Sequence, residues 1–320
     1  MNINHILIVM TEPKSIFLEI LLKYLISTHF KKNKKKISII GNVSHIKKEI
    51  KKNKYNLKIK EVLDITKSKK NLINLIDVKT SNKYKASSNF HMPNYISNCF
   101  DKSLSILKKN KNVVLLNGPV NKKTFLKKKY LGITEYLAKK TKSKNPVMLI
   151  YNEKLSVSPI TTHLPIKYVS KYINKSNIIK KIKLINYFFV KNLKIKPKIA
   201  VLGLNPHCET IEKIGEEQKE IIPAIKKLKN YKLNIAGPFS ADTFFIKKNI
   251  DYYDVVVGMY HDQVLTPLKT LYNFNAINIT IGLPFVRVSP DHGPNISMYG
   301  KNKSDPSSIF CAMDFFNKIK

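Results

Sequence analysis

The chain has 320 residues, with 58 Lys plus Arg against 21 Asp plus Glu, and this gives a formal net charge of +37. This length exceeds what one hydrophobic core usually serves, so we expect two lobes with a cleft between them. The longest apolar runs are far shorter than a bilayer span, which argues against a membrane protein. The three cysteines, Cys99, Cys208 and Cys311, have no paired spacing, which argues against a disulfide scaffold or a zinc knuckle. We therefore expect a soluble cytoplasmic protein.

Short apolar, β-branched runs alternate with amphipathic segments along the chain. In chain order, the predicted strands are HILIVM, ISIIGN, VVLLNG, VMLIYN, KIAVLGLN, LNIAG, YDVVVGMY and AINITIG. The predicted helices include SIFLEILLKYLIS, SNIIKKIKLINYFFVKNL and EEQKEIIPAIKKLKN. This alternation predicts an α/β protein with a mostly parallel sheet. We place the first lobe, expected to be the nucleotide side, at residues 1–120 plus 285–320. We place the second lobe, expected to be the metal and dimer side, at residues 121–284.

The positive charge is spread along the whole chain. Apart from KKNKKK at residues 31–36, lysines occur in every segment together with many Asn and Ile. Binding to a phosphate backbone rewards clustered Lys and Arg through counterion release. A compositional bias with solvated charges is therefore favoured over a nucleic-acid-binding function, and we expect neither nucleic acid nor membrane as a partner.

Three of the predicted strands lead into a histidine. SPITTH ends at His163, VLGLNPH ends at His207, and VVVGMYH ends at His261. Ligands of open α/β sheets bind beyond the carboxyl ends of the strands, and imidazoles gathered there suit a catalytic divalent cation. Asp242 in GPFSADTFF and Asp262 are candidate supporting groups. For any single histidine, a side chain that only satisfies nearby backbone is the alternative, and the spacing fixes no particular metal.

Arg287 is the only arginine in the sequence. A guanidinium can hold a phosphate or carboxylate through two parallel hydrogen bonds, which an ammonium cannot do. Lys269 and Asn278 precede it and are candidates to polarise a carbonyl and to contact a carboxylate or hydroxyl. The alternative for Arg287 is a surface residue without a special role.

Together these segments resemble the 4-hydroxythreonine-4-phosphate dehydrogenases of pyridoxal phosphate biosynthesis. The resemblance rests on TTHLPI, VLGLNPH, GPFSADTFF, YHDQVLTPLK and NITIGLPFVRVSPDHG, and more loosely on NGPVNK and GITEYLA, in the family's order. It implies a two-lobed α/β/α fold like that of isocitrate dehydrogenase, and a homodimer whose active site lies where the subunits meet. It also implies NAD or NADP and a divalent cation such as zinc, magnesium or cobalt.

The resemblance also implies roles for individual residues. The family's metal ligands match His163, His207 and His261, and its substrate-binding positions match Thr134, Lys269, Asn278 and Arg287. In the family, 4-phosphooxy-L-threonine is oxidised at the carbon that bears the hydroxyl, and the resulting β-keto acid loses carbon dioxide. Lys269 or Asp262 are the candidates for catalytic proton transfer, and Asp242 is the candidate to support a metal ligand. The residues that bind the nicotinamide nucleotide are left unassigned.

Several positions depart from the family's pattern. Ile133 and Asn121 stand where the family usually has histidines, TEPKSIF keeps only Glu12 and Pro13 of a glycine-rich motif, and the loop after Gly293 is altered. Isoleucine cannot hydrogen-bond a substrate, and such a loss raises a barrier by about 1–3 kcal/mol. Two alternatives therefore stay open: a metal-dependent hydrolase of a phosphorylated metabolite, and a degenerate, non-catalytic basic binding protein.

Overall fold

The structure is a computed structural model that describes residues 3–79, 92–121, 125–126, 129–130, 132–209 and 215–319. Its strands are β1 (His5–Val9), β2 (Lys36–Gly41), β3 (Ile59–Glu61), β4 (Ile73–Asp77), β5 (Val113–Asn117), β6 (Val147–Tyr151), β7 (Ser156–Pro159), β8 (Ile199–Leu202), β9 (Ile235–Phe239), β10 (Val255–Gly258), β11 (Ile277–Ile281) and β12 (Arg287–Pro290). Its helices are α1 (Phe17–Leu25), α2 (Thr28–Lys32), α3 (Val43–Lys52), α4 (Met92–Lys109), α5 (Ile133–Lys140), α6 (Val169–Tyr172), α7 (Lys175–Phe188), α8 (Ile222–Asn230), α9 (Ala241–Phe244), α10 (Lys247–Ile250), α11 (His261–Tyr272) and α12 (Ser307–Lys318). Within these described ranges, no helix combines the length and the apolar character that a bilayer crossing needs.

The chain divides into two compact units. The first unit comprises Met1–Lys140 and Pro284–Ile319, and the second unit comprises Thr141–Leu283. Residues near both ends of the chain therefore belong to one unit. The chain passes into the second unit after Lys140, so that α5 belongs to the first unit, and it returns to the first unit at Pro284.

The strands of the first unit lie in the order β3-β4-β2-β1-β5-β12, and their neighbours pair in parallel. In the second unit the order is β11-β6-β7-β10-β8-β9. There β6 runs antiparallel to both β11 and β7, while the remaining pairs are parallel. Each predicted strand overlaps an observed one, and the prediction of an α/β fold with a mostly parallel sheet is confirmed.

The apolar core of the second unit fixes the position of α11. Val264, Leu265 and Leu268 of this helix are buried against residues of β7, β8 and β10. Burial of side chains of this size stabilises a fold by about 1.5–3 kcal/mol each. Because these residues anchor the first two turns of α11, the packing also fixes His261, which is the first residue of the helix.

Candidate active site

Four neighbouring parallel strands of the second unit end at one edge of their sheet. These strands are β7, β10, β8 and β9, in that spatial order. The chain beyond them carries the predicted site residues: His163 after β7, His261 after β10, His207 after β8 and Asp242 after β9. The sheet therefore places all three histidines at the edge where ligands of α/β proteins bind.

His163 and His261 lie beside each other. Their ring centroids are 5.9 Å apart and the ring planes are tilted by 34°. The Nδ1 atom of His261 lies 2.6 Å from a carboxylate oxygen of Asp262. In the tautomer whose Nδ1–H donates a hydrogen bond to Asp262, the Nε2 atom keeps a lone pair that can face a cation.

His207 lies in an exposed turn and its side chain is 74% exposed. Its Nδ1 atom is 3.9 Å from the Oδ2 atom of Asp242. His207 and His163 both adopt the left-handed backbone region, with φ of 57° and 44° respectively. This conformation is uncommon outside glycine, and residues held in it cluster at functional sites. The strained backbone at these two residues is therefore consistent with a functional role for both histidine side chains.

The second unit has an open pocket with a volume of about 620 Å³. Its lining includes Asp242, Tyr260, Asp262 and Gln263. The carboxylates beside His207 and His261 consequently border the same pocket. A group of three His, Cys, Asp or Glu side chains arranged to hold a metal ion does not occur within the described part of this single chain. The structure thus brings His163 and His261 together and places His207 with Asp242.

Lys269 and Asn278 belong to the same unit as the histidines. Lys269 is half-buried on α11, with its Nζ atom 5.5 Å from the ring centroid of Phe274. Asn278 is half-buried on β11, and its Oδ1 atom is buried without a hydrogen-bond partner among the described residues. A buried acceptor in this state costs free energy until a donor reaches it. Asn278 is therefore suited to accept a hydrogen bond from a bound molecule.

Arg287 and Thr134 belong to the first unit. The Arg287 side chain is completely buried, so the alternative of a surface arginine is wrong. Its Nε atom donates to the Oδ1 atom of Asn117 at 2.7 Å. Burial lowers the pKa of the guanidinium to about 9, while the nearby carboxylate of Glu135 acts in the opposite direction. Thr134 is half-buried on α5, beside Glu135. Of the NGPVNK motif, Lys122 lies outside the described residues.

The loops after β1, β5 and β12 meet in the first unit. The hydroxyl of Thr11 donates to the carbonyl of Pro119 at 2.5 Å, and the amide of Ile16 donates to the carbonyl of Pro294 at 3.1 Å. Glu12 is 7% exposed, and its burial raises the pKa of its carboxyl although the backbone at Asn121 counters this. These contacts gather the altered family segments at one sheet edge.

Sequence reasoning missed two buried polar residues of the second unit, Glu217 and Gln263. Glu217 is fully buried and accepts hydrogen bonds from the backbone that leads to His207. Gln263 is 9% exposed and contacts the backbone before His261. Gln263 lies within the family motif YHDQVLTPLK, and this position could have identified it as a candidate site residue. Glu217 lies in a predicted helical segment that contains no such motif.

Comparisons with known proteins agree on one family. Residues 33–316 match the family described as "Pyridoxal phosphate biosynthetic protein PdxA". A 4-hydroxythreonine-4-phosphate dehydrogenase from Sulfurihydrogenibium sp. (strain YO3AOP1) is 39% identical over 327 residues, which span 98% of this chain and 97% of that protein. A crystal structure of 4-hydroxythreonine-4-phosphate dehydrogenase from Klebsiella pneumoniae has a TM-score of 0.83 at 26% identity and covers 98% of both chains.

A more distant likeness concerns the fold alone. Isocitrate dehydrogenase from Methylococcus capsulatus has a TM-score of 0.52 at 11% identity, covering 98% of this chain and 85% of that chain. The predicted isocitrate-dehydrogenase-like fold is thereby confirmed. Because the family profile spans most of the sequence and a relative above 30% identity spans nearly all of it, this chain belongs to the pyridoxal phosphate biosynthetic protein PdxA family.

Proposed function

We propose that this protein is a 4-hydroxythreonine-4-phosphate dehydrogenase that uses NAD or NADP. It oxidises 4-phosphooxy-L-threonine to 2-amino-3-oxo-4-phosphooxybutanoate, which decarboxylates to 3-amino-2-oxopropyl phosphate in pyridoxal 5'-phosphate biosynthesis. The observation that carries the proposal is the 39% identity to a relative of this name across 98% of the chain. The strand-end histidines of the second unit agree with it.

We assign a divalent cation to His163, His207 and His261. The ring centroids of His163 and His261, 5.9 Å apart, are compatible with two imidazoles that face one ion. The third ligand, His207, is exposed, and the carboxylate of Asp242 lies 3.9 Å from its Nδ1 atom. Imidazole ligands favour zinc or cobalt over magnesium. When bound, such a cation supplies Lewis acidity that lowers the pKa of a nearby hydroxyl and stabilises negative charge on its oxygen.

Substrate-binding roles are proposed for Arg287, Asn278 and Thr134. Arg287 is assigned to the substrate phosphate, because a desolvated guanidinium gains most from a dianionic partner. Asn278 offers its buried Oδ1 atom to a substrate donor, and Thr134 offers a hydroxyl. The Oδ1 acceptor, unpartnered among the described residues, supports the assignment of Asn278.

Lys269 and Asp262 are the groups proposed for proton transfer. The carboxylate of Asp262 is engaged with the Nδ1 atom of His261 at 2.6 Å, so its main effect is to hold that ring in one tautomer. Lys269, half-buried on α11, is therefore the favoured group to deliver a proton to the carbon from which carbon dioxide departs.

We further propose a cytoplasmic homodimer in which both subunits contribute to each active site, with the nucleotide bound on the first unit. The 74% exposure of the His207 side chain leaves this ligand accessible to a second copy of the chain. The meeting of the loops after β1, β5 and β12 supports a nucleotide site on the first unit. Sedimentation velocity tests the dimer, and activity regained on mixing a His207→Ala chain with a Lys269→Ala chain tests the shared site.

The decisive experiment incubates the purified protein with 4-phosphooxy-L-threonine, NAD or NADP, and Zn²⁺, Co²⁺ or Mg²⁺. We expect reduced nicotinamide and carbon dioxide in equal amounts, and loss of both after chelation. No reduced nicotinamide with intact substrate under any of these conditions contradicts the proposal. Release of inorganic phosphate in its place would indicate a hydrolase. Salt-sensitive DNA binding without turnover would indicate a non-catalytic basic protein.

A further inference from the structure

A buried carboxylate holds the chain between β8 and His207. Glu217 is fully buried, and its Oε1 atom accepts hydrogen bonds from the amides of Leu204 at 2.7 Å and Asn205 at 2.9 Å. Its Oε2 atom accepts from the side-chain amide of Asn205 at 2.9 Å. Both oxygens thus accept from N–H groups, as an ionised carboxylate does, and such bonds are stronger than those between neutral groups. Asn205 is therefore fixed through both its backbone and its side chain.

The position of Asn205 decides where the next residues point. Its backbone is extended, with φ of −91° and ψ of 157°, which is the conformation that a residue before proline prefers. Pro206 then leads into His207 and Cys208, whose φ angles of 57° and 61° both lie in the left-handed region. Two consecutive non-glycine residues in this region are unfavourable, and they persist only where the surrounding structure holds them. Glu217 supplies such a hold directly before them.

The carboxylate itself is attached to a rigid support. Glu217 begins a π-helical turn, Glu217–Ile221, which continues into α8. Ile221 is fully buried, and so is Leu228 of α8. On the side of the sheet, a Cβ atom at Gly203 would lie 3.0 Å from the Oε1 atom of Glu217. This packing leaves the carboxylate little freedom to move away from the turn.

The turn that this buried charge fixes is itself exposed. Pro206, His207 and Glu209 are exposed, and the His207 side chain is 74% exposed. Removal of a carboxylate from water is costly, and apolar residues in place of a buried charge are often neutral or stabilising. The hydrogen bonds of Glu217 nevertheless end on a turn that adds little to the apolar core. The arrangement is therefore explained better by the conformation of His207 than by stability.

We propose that Glu217 is a positioning residue for His207, whose carboxylate holds the turn in the conformation that presents the imidazole to the divalent cation. The inference rests on the proposed assignment of His207 as a cation ligand. Glu217 is buried behind the turn and does not bind the cation. Because it acts on the His207 turn of its own chain, its effect is the same whichever subunit supplies the other ligands of that site. Groups behind a metal ligand commonly change metal affinity in this way.

The test compares Glu217→Gln with Glu153→Gln in the full-length protein. Glu217→Gln keeps the volume of the side chain, but it removes the charge and replaces one of the two acceptor oxygens by a donor that faces an N–H group. Glu153 lies exposed in the second unit and receives the same chemical change. Titration calorimetry with Co²⁺ should give a dissociation constant about 10- to 100-fold higher for Glu217→Gln and within about twofold of the original for Glu153→Gln.

Two further measurements separate positioning from a merely structural role. Saturating Co²⁺ should restore the kcat of Glu217→Gln, because the ligand is misplaced rather than lost, and a kcat that stays low contradicts the inference. Unchanged Co²⁺ affinity in folded Glu217→Gln protein overturns it, even if the melting temperature falls. Should this variant not fold, Asn205→Ala removes the side-chain hydrogen bond to the carboxylate and should weaken Co²⁺ binding in the same direction; unchanged binding there overturns the inference as well.

His207→Ala distinguishes this inference from the assignment on which it depends. If His207→Ala binds Co²⁺ as tightly as the original protein, His207 is not a cation ligand, and the assignment and the positioning role fail together. If His207→Ala loses Co²⁺ binding while Glu217→Gln keeps it, the assignment of His207 stands and only the positioning role of Glu217 is wrong.

Discussion

The Nε atom of Arg287 donates to the side-chain oxygen of Asn117, with 2.7 Å between the two atoms. The two residues lie on neighbouring parallel strands of the first unit, since β12 pairs with β5. This bond directs a fully buried guanidinium and occupies one of its five N–H donors. The solitary arginine of the chain is thus a structural residue of the core as well as the proposed ligand of the substrate phosphate.

Replacing Arg287 by lysine should impair both roles. An ammonium cannot bind Asn117 and also present a planar pair of donors to a phosphate. We expect kcat/KM to fall about 10- to 100-fold, which corresponds to about 1.5–3 kcal/mol for a hydrogen bond to a charged group. We also expect the free energy of unfolding to fall by about 1–3 kcal/mol. Steady-state kinetics and urea denaturation measure the two effects.

The reverse exchange at an exposed site, Lys144→Arg, serves as the control for Arg287→Lys. It should leave kcat/KM and the free energy of unfolding within experimental error. Weaker competitive inhibition by inorganic phosphate in Arg287→Lys would link the loss to the phosphate itself. If Arg287→Lys loses stability but keeps its kcat/KM, the residue is structural only and its substrate-binding role is wrong.

Ile133→His should raise activity. Ile133 is the first residue of α5, is half-buried, and precedes the proposed substrate ligand Thr134. An imidazole at this position gives the substrate a hydrogen-bonding partner, and a gain of about 1.4 kcal/mol corresponds to a tenfold rise in kcat/KM.

Ile133→Phe adds a ring of similar size without a polar atom, and therefore controls for the change in shape. A rise in kcat/KM for both variants would point to packing rather than hydrogen bonding. No rise for Ile133→His would show that this position no longer limits the reaction, which contradicts the interpretation of Ile133 as a lost substrate contact.

The positions of the histidines relative to strands could be predicted from local sequence. Each follows a short apolar run, and the carboxyl end of a parallel strand is where such a residue reaches a ligand. The spatial order of the strands could not be read in this way. β10 is inserted between β7 and β8, so the turn of His261 lies between those of His163 and His207. This order depends on crossover connections, which the local pattern does not encode.

The burial of Arg287 and the hydrogen bonds of Gln263 could not be predicted from the sequence, because they depend on residues far away along the chain. The partner of Arg287, Asn117, is 170 residues away along the chain, and the partner of Gln263, Gly203, is 60 residues away. A charged residue is rarely fully buried, so composition alone favours an exposed or half-exposed arginine. Only the packed sheet shows which buried polar groups satisfy one another.

Removal of a single histidine ligand should abolish tight cation binding. In His163→Asn we expect the Co²⁺ affinity to fall at least 100-fold, because a ligand is lost and the neighbouring ring of His261 then has no partner across the ion. Calorimetry measures the affinity, and the assay for reduced nicotinamide should show a parallel loss. His29→Asn removes an exposed histidine of the first unit and should change neither quantity. Equal Co²⁺ binding in His163→Asn would remove His163 from the proposed site.

Acid should destabilise the first unit through His5. Burial, with a smaller contribution from the charge of Lys36, lowers the pKa of this imidazole from 6.5 to about 4, and its Nε2 atom lies 2.8 Å from the Ser38 hydroxyl. The folded protein therefore holds His5 neutral, while the unfolded chain takes up a proton as the pH falls below 6.5. The stabilisation is fully present above pH 6.5 and is lost towards pH 4.

Between pH 7 and pH 5 this single group should remove about 2 kcal/mol from the free energy of unfolding. In His5→Gln, which retains a hydrogen-bonding side chain towards Ser38, the decline over the same interval should be smaller by that amount. Urea denaturation at the two pH values measures the difference, and His29→Gln, an exposed histidine of the same unit, should decline as the original protein does. If His5→Gln and the original protein lose equal stability, His5 is not the group that couples folding to protonation. The half-buried His45, whose pKa burial also lowers, is then the next residue to replace.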